Sequence, residues 1–245
     1  MKVQAVFFDL FETLISEFEN GIRKAPRSNH FVAQLGIDTK LFEIEWRSRQ
    51  AHRMNGTFRD FPSVLRDILR TLGHEVSDET IHEIHNQRIA SKLIPFRGIA
   101  DSILDMLGQL RSAGIKIGLI SNCTPEEVKA WEASVLAPYF DDVIFSYAVH
   151  TAKPEPLIYQ LACQRLEVSP SESVFVGDGG SHELEGASSF GIQAYHATWF
   201  LSEDRASRIT GFPKLSRPCE LFDQIQRKNE AQSDRSRPHQ PYKMM

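Results

Sequence analysis

Val-Phe-Phe-Asp-Leu-Phe-Glu-Thr-Leu, residues 6–14, is the stretch on which the fold turns. The apolar run from Val3 to Phe8 is short, β-branched and aromatic, which is the composition of a strand buried on both faces, and it stops abruptly at Asp9 before a polar turn. A carboxylate at the carboxyl end of a central parallel strand lies in the crevice where open α/β sheets bind ligands. Asp9 is therefore badly placed for packing and well placed for chemistry.

The chain as a whole is long enough, at 245 residues, for one α/β domain carrying an insertion or for two small domains. Its 28 basic and 32 acidic residues form no basic stripe interleaved with aromatics, so neither nucleic acid nor an anionic membrane is an expected partner. The start, Met-Lys-Val-Gln-Ala-Val-Phe-Phe-Asp, is too short and too quickly charged for a signal peptide, and no apolar run reaches membrane-spanning length; a cytoplasmic location is expected. Cys123, Cys163 and Cys219 are odd in number and widely spaced, as free thiols are.

Beyond Asp9 the apolar period becomes helical, and residues 16–93 read as an insertion of four short helices with no convincing strand. Ser28 caps a first helix bearing Phe31, Val32 and Leu35; a second runs through Phe42 and Trp46 towards Met54; Pro62 opens a third and Ser77 or Asp78 a fourth. Alternation then sets in. A helix over 98–113 precedes a strand over 115–120, a helix over 126–136 precedes one over 143–146, and further strands follow at 174–176 and 192–195. A last helix is expected over 220–226. The pattern predicts an α/β parallel-sheet core over 1–15 and 94–227, the helical insertion over 16–93, and a polar, disordered tail over 228–245.

Three more polar clusters follow predicted strands or open helices. They are Ser121-Asn122-Cys123-Thr124-Pro125, then Thr151-Ala152-Lys153-Pro154, then Gly177-Asp178-Gly179-Gly180-Ser181-His182-Glu183-Leu184-Glu185-Gly186-Ala187. With Asp9 to Thr13 they resemble, in order, the four motifs of the haloacid dehalogenase-like hydrolase superfamily. The resemblance implies a Rossmann-like parallel sheet with an α-helical C1 cap closing over it. It implies that Asp9 attacks the substrate and forms a covalent aspartyl intermediate, with Ser121, Asn122 and Lys153 cradling a phosphoryl group. It also implies Mg²⁺, held by Asp9, the main-chain carbonyl of Phe11 and Asp178, with Glu183 in support. Hard oxygen ligands of this kind suit that ion.

Phe11 departs from the pattern, which has a second aspartate there. In the superfamily's phosphatases that residue protonates the leaving group, and general acid–base help is worth about 10²–10⁴-fold. The reading that follows is a phosphohydrolase acting on a small, anionic phosphorylated metabolite with a good leaving group. An alternative is a metal-independent 2-haloacid dehalogenase, since those enzymes also lack the aspartate; against it, the carboxylates of the Asp178 motif would repel one another without a cation. A third reading is a non-catalytic binding or regulatory protein that has lost the acid. Phosphonoacetaldehyde hydrolases use a Schiff-base lysine from the cap, for which Lys24, Lys40 and Lys92 offer no clear match. Arg23, Lys24, Arg27, Arg47, Arg49, Arg53 and Arg59 lie on the polar face of the insertion, where some could grip an anion and most are expected only to be solvated. His82 and His85 lack a third ligand and read as a surface pair.

Overall fold

The computed structural model describes residues 2–25 and 30–235. Ala5–Phe8 (β1) carries side chains buried on both faces, as its unbroken apolar composition requires. Val6 and Phe8 point into one core cluster, Ala5 and Phe7 into another. Around β1 a six-stranded sheet forms in the order β5-β4-β1-β6-β7-β8, all pairings parallel, with β4 at Lys116–Ser121, β5 at Asp142–Phe145, β6 at Ser173–Gly177, β7 at Gln193–Ala197 and β8 at Lys214–Leu215. β1 is central, so Asp9 ends up flanked by the ends of β4 and β6. Chain order changes direction on either side of β1, which opens the crevice there.

The second element group is helical: His30–Gln34 (α1), Thr39–Ser48 (α2), Gln50–Met54 (α3), Phe61–Thr71 (α4) and Asp78–Leu93 (α5). These helices bury a core of their own, from Phe31 and Phe42 to Leu65, Ile68 and Ile84. Asp60 caps α4, with Pro62 in the first turn, and Ser77 caps α5. Ser28 and Arg27 lie outside the described residues. A hairpin that the apolar pattern does not announce precedes the helices: Phe18–Glu19 (β2) pairs antiparallel with Ile22–Arg23 (β3). Its turn is Asn20-Gly21, and both residues have positive φ, the conformation a two-residue hairpin demands.

The remaining helices flank the sheet: Asp101–Ser112 (α6), Ser146–Val149 (α7), Pro156–Arg165 (α8), Glu183–Phe190 (α9), Glu203–Ser207 (α10) and Cys219–Arg235 (α11). Two expectations need correction. Residues 126–136 are not an α-helix but part of a run of 3₁₀ turns at Pro125–Glu127, Trp131–Ala133 and Ala137–Tyr139, linked by bonds such as Trp131 N–H to Val128 O (2.9 Å) and Ser134 N–H to Trp131 O (2.9 Å). Spacing by threes lets Val128 and Trp131 face the core together, and Pro138 forbids a longer helix. The expectation of a disordered tail from Lys228 also fails at its start, because α11 runs to Arg235. Lys228 Nζ donates to Gln193 Oε1 (2.6 Å), and Val3 N–H donates to Asn229 Oδ1 (2.8 Å). Residues 236–245 lie outside the described residues. No helix among the described residues is long and apolar enough to cross a membrane.

Candidate active site

Asp9 follows β1, and its N–H donates to Val176 O (2.9 Å), which fixes the carboxylate at the sheet's carboxyl edge. The turn that follows is held by its own chemistry. Leu14 and Ile15 N–H both donate to Leu10 O, at 2.9 and 3.1 Å, which leaves the Phe11 carbonyl outside the turn's ladder. Glu12 sits at φ 55°, and its carboxylate accepts from Ser16 Oγ (2.6 Å) and Glu17 N–H (2.8 Å). Both Glu12 oxygens are thus committed to the hairpin's entrance.

The loop before α8 brings Lys153 under Asp9. Its Nζ donates to Asp9 Oδ1 (2.5 Å) and to Glu183 Oε2 (2.5 Å), and all three groups are buried. Burial alone would lower the Lys153 ammonium; the two carboxylates instead hold it above its ordinary range. Burial raises the Asp9 carboxyl against the pull of Lys153, and it raises Glu183 well above the usual carboxylate range, with Asp9 adding repulsion. Lys153 is itself held by Asn122, whose Nδ2 donates to Lys153 O and whose Oδ1 accepts from Lys153 N–H, both at 2.8 Å. Asn122, expected among the substrate ligands, has both polar ends on this backbone.

Asp178 follows β6 and accepts from Gly180 N–H (2.9 Å). One oxygen from each of Asp9, Asp178 and Glu183 lies within 4.8 Å of the others. Gly177 makes the approach of Glu183 feasible: a Cβ there would stand 2.1 Å from Glu183 Oε1. Glu183 Oε1 also accepts from Gly179 N–H (3.0 Å), so this acid ties lysine and loop together. Ser121 closes the group from β4. Its hydroxyl is buried with only the Cys123 thiol beside it, and that of Thr13 lacks a hydrogen-bond partner. A buried hydroxyl so weakly partnered at a strand end is what an incoming oxyanion would satisfy. Cys123 is inert by comparison: its N–H donates to Ser146 Oγ (3.0 Å) and burial pushes its thiol well up.

The fit of a divalent cation follows from charge. Three carboxylates face one ammonium, and the nearest other cation, Arg205, reaches Asp178 only at 3.5 Å from a half-exposed position. The acids still outnumber the cations by one, in a buried setting that raises Asp9 and Glu183. Oxygen donors and this excess suit Mg²⁺.

Beside the site, Phe11 packs its ring 5.7 Å from Lys92 Nζ on α5. Lys92 pairs with Glu17 (2.8 Å) and Glu127 (2.9 Å), while Arg88 pairs with Glu126 (2.8 Å) and Glu127 (3.3 Å). Burial would lower the Lys92 ammonium, but Glu127 and Glu17 hold it above its ordinary range, so it is no Schiff-base nucleophile. His85 stacks on Phe61, with ring centroids 6.1 Å apart, instead of pairing with His82 at a metal. Sequence reasoning passed over Arg88, Glu126, Glu127 and Arg205, whose partners lie far along the chain. Glu127 alone carries a local signal, the capping box of Thr124-Pro125-Glu126-Glu127.

The family model for haloacid dehalogenase-like hydrolases matches residues 3–191. The glyceraldehyde 3-phosphate phosphatase of Methanopyrus kandleri is 24% identical over 234 residues, covering 91% of this chain and 97% of that protein. The (S)-2-haloacid dehalogenase 4A of Burkholderia cepacia is 26% identical over 210 residues, covering 78% and 81%. Among solved structures, a HAD phosphatase from Thermococcus onnurineus superposes with a TM-score of 0.60 at 23% identity, covering 92% of this chain and 98% of that one, which supports the fold. Relatives of both chemistries thus lie at similar distance.

Proposed function

The chain belongs to the haloacid dehalogenase-like hydrolases, and we propose that within this family it is a Mg²⁺-dependent phosphohydrolase acting on a small substrate with a good leaving group. The convergence of one carboxylate oxygen each from Asp9, Asp178 and Glu183 within 4.8 Å, an excess of acid over Lys153 and Arg205, is the observation that carries the reading. A carbon-attacking nucleophile has no use for such repulsion. Asp9 and Asp178 would hold the ion with the Phe11 carbonyl, and Glu183 would support it by fixing Lys153. When bound, Mg²⁺ would supply electrostatic stabilisation of charge on the phosphoryl oxygens.

The protein's own groups then have these roles. Lys153 opposes the rise that burial imposes on the Asp9 carboxyl and orients it at 2.5 Å, and the Ser121 hydroxyl donates to a phosphoryl oxygen. Asp9 attacks phosphorus in line, the leaving group departs with its bonding electrons, and water cleaves the acyl phosphate that results. No acid protonates the leaving group. Phe11 has none to offer, and both Glu12 oxygens are held by Ser16 and Glu17. Acyl phosphates, whose leaving carboxylate needs no proton, are the substrates least affected. Helices α1 to α5 serve as the lid that excludes water.

Phe11 favours the second reading, the metal-independent dehalogenase. One assay separates the two: acetyl phosphate and 2-chloropropionate, each with Mg²⁺ and with chelator. Phosphate released only with Mg²⁺ is the expected result. Chloride released in chelator would replace this reading with the second, and silence from both substrates would leave a non-catalytic protein.

A further inference from the structure

Asp178 has ties of two kinds. Its Oδ1 accepts from Gly180 N–H (2.9 Å), inside its own loop, while its Oδ2 accepts from the Arg205 guanidinium of α10 (3.5 Å). The first bond shapes the loop. The second comes from outside it and sets a positive charge against the oxygen that the loop's amide leaves free. One oxygen each of Asp9, Asp178 and Glu183 converge within 4.8 Å, so a cation held there and Arg205 would face the same carboxylate. Cations that share one acid repel each other, and more strongly when one of them is divalent.

The element that brings Arg205 there is weakly held. α10 has five residues, none of them buried, and its single turn is closed by Ala206 N–H to Ser202 O (2.9 Å) and by the longer bond of Arg205 N–H to Ser202 Oγ (3.4 Å). A short helix without a buried face opens at small cost. It meets the Asp178 loop through the Arg205 pair and through Ile209, whose Cδ1 would stand 2.0 Å from a Cβ on Gly179. Glycine leaves that room, so the two segments are in direct contact. Arg205 also lines a groove of about 760 Å³, between Phe18 and Asn20 of the hairpin on one side and Trp199 and Phe200 of the loop after β7 on the other. Trp199 Nε1 donates to Thr13 O (2.9 Å), which fixes that wall to the turn after Asp9. The half-exposed Arg205 thus stands where the groove meets the acids.

We propose that α10 is a cation-responsive latch on the metal site, in which Arg205 and Mg²⁺ compete for Asp178 so that Mg²⁺ arriving at the acids releases α10 and widens the groove beside them. The proposal rests on the Mg²⁺ site of the phosphohydrolase reading, and the test keeps the two apart. Linkage makes the competition reciprocal: the latch weakens Mg²⁺ binding by the same factor by which bound Mg²⁺ disfavours the latched state. Arg208 supplies the control. It carries the same charge at the end of the same helix, but it pairs with Asp204 and not with Asp178.

Titration calorimetry of the full chain with Mg²⁺ alone, at physiological ionic strength, reads the first half of the competition. Arg205→Gln is expected to tighten Mg²⁺ by about fivefold or more, the low end of coupling between sites. Arg208→Gln, which loses the same charge farther from the acids, stays within about twofold of wild type because salt screens it. Hydrogen exchange reads the second half. Mg²⁺ should speed exchange of the Ala206 and Arg208 amides in wild type, whereas in Arg205→Gln they exchange fast with or without it. A purely structural role for Arg205 would give no such dependence on the ion. Unchanged or weaker Mg²⁺ binding in Arg205→Gln overturns the latch and leaves the metal site standing, and so does equal tightening in the two variants or an α10 whose exchange Mg²⁺ does not move. Absence of Mg²⁺ binding in wild type and both variants would sink the metal reading itself, and the latch with it.

Discussion

Removing the Lys153 ammonium is the sharpest perturbation available to the site. Lys153→Met keeps the volume and deletes the charge that bridges Asp9 and Glu183 at 2.5 Å each. Breaking a buried ion pair from one side costs about 3–5 kcal/mol. For a chain of this size each kcal/mol moves the melting temperature by roughly 2–4 °C, so a fall of roughly 6–20 °C is expected in chelator. The loss has a ceiling, because a proton shared between Asp9 and Glu183 can take the ammonium's place as the bridge. That proton sets the pH dependence. Glu183 already sits well above its ordinary 4.5, so the folded state binds more protons than the unfolded chain across that interval. Stability then falls as pH rises from about 4.5 towards the raised value, and more steeply in the variant. Mg²⁺ at a hundred times its dissociation constant adds about 2.7 kcal/mol of stability and flattens the slope. Urea denaturation from pH 5 to 8, with Mg²⁺ and with chelator, measures all of this. A variant as stable as wild type in chelator, or unmoved by Mg²⁺, would refute the charge argument and with it the metal site.

Three further outcomes follow from the same geometry. Asp9→Asn removes the nucleophile and one repelling charge together, so acetyl phosphate turnover should fall by at least about 10³-fold while the melting point in chelator holds or rises; a surviving rate would exclude Asp9 as nucleophile. Phe11→Asp restores an acid beside the leaving group, and turnover of alkyl phosphates should rise relative to acetyl phosphate towards the low end of the roughly 10²–10⁴-fold range, because Lys92 near position 11 holds a new carboxylate ionised; an unchanged ratio of the two rates would show that the missing acid is not what limits them. Glu127 is raised by burial but drawn down more strongly by Lys92 and Arg88, to about 2, against an ordinary 4.5; at about 1.4 kcal/mol per pH unit it contributes about 3 kcal/mol above pH 4.5, lost as pH falls towards 2, and Glu127→Gln should show the same loss at pH 7 by urea denaturation.

The parts of this molecule that could be read from sequence are those whose cause is local. β1 shows in its unbroken apolar run, α4 and α5 in Asp60-Phe61-Pro62 and Ser77, and Asp178 in the glycines around it. The hairpin was equally local, since Asn20-Gly21 is a turn signal, but its two-residue strands are too short to show alternation. What sequence hides has its cause at long range. Residues 126–136 carry a helix's composition, yet Arg88, 38 positions earlier, binds Glu126 and fixes the first turn in another geometry. The tie of Asn122 to the Lys153 backbone, 31 residues ahead, shows only in the fold.

These long-range contacts also tie lid and cradle together. The loop after β4 begins with Ser121 and ends with Glu126 and Glu127, the acids that hold Arg88 and Lys92 of α5. Glu127 Oε2 accepts from Thr124 N–H (3.1 Å), so the carboxylate that grips the lid also shapes the turn next to Ser121. Swinging α5 away from the sheet must break at least two buried ion pairs and release that turn. On the phosphohydrolase reading, closure of the insertion and assembly of the phosphoryl cradle would then be one event. On that reading, with no general acid at position 11, rate would come from positioning and electrostatics, and both are strongest with the lid shut and water excluded.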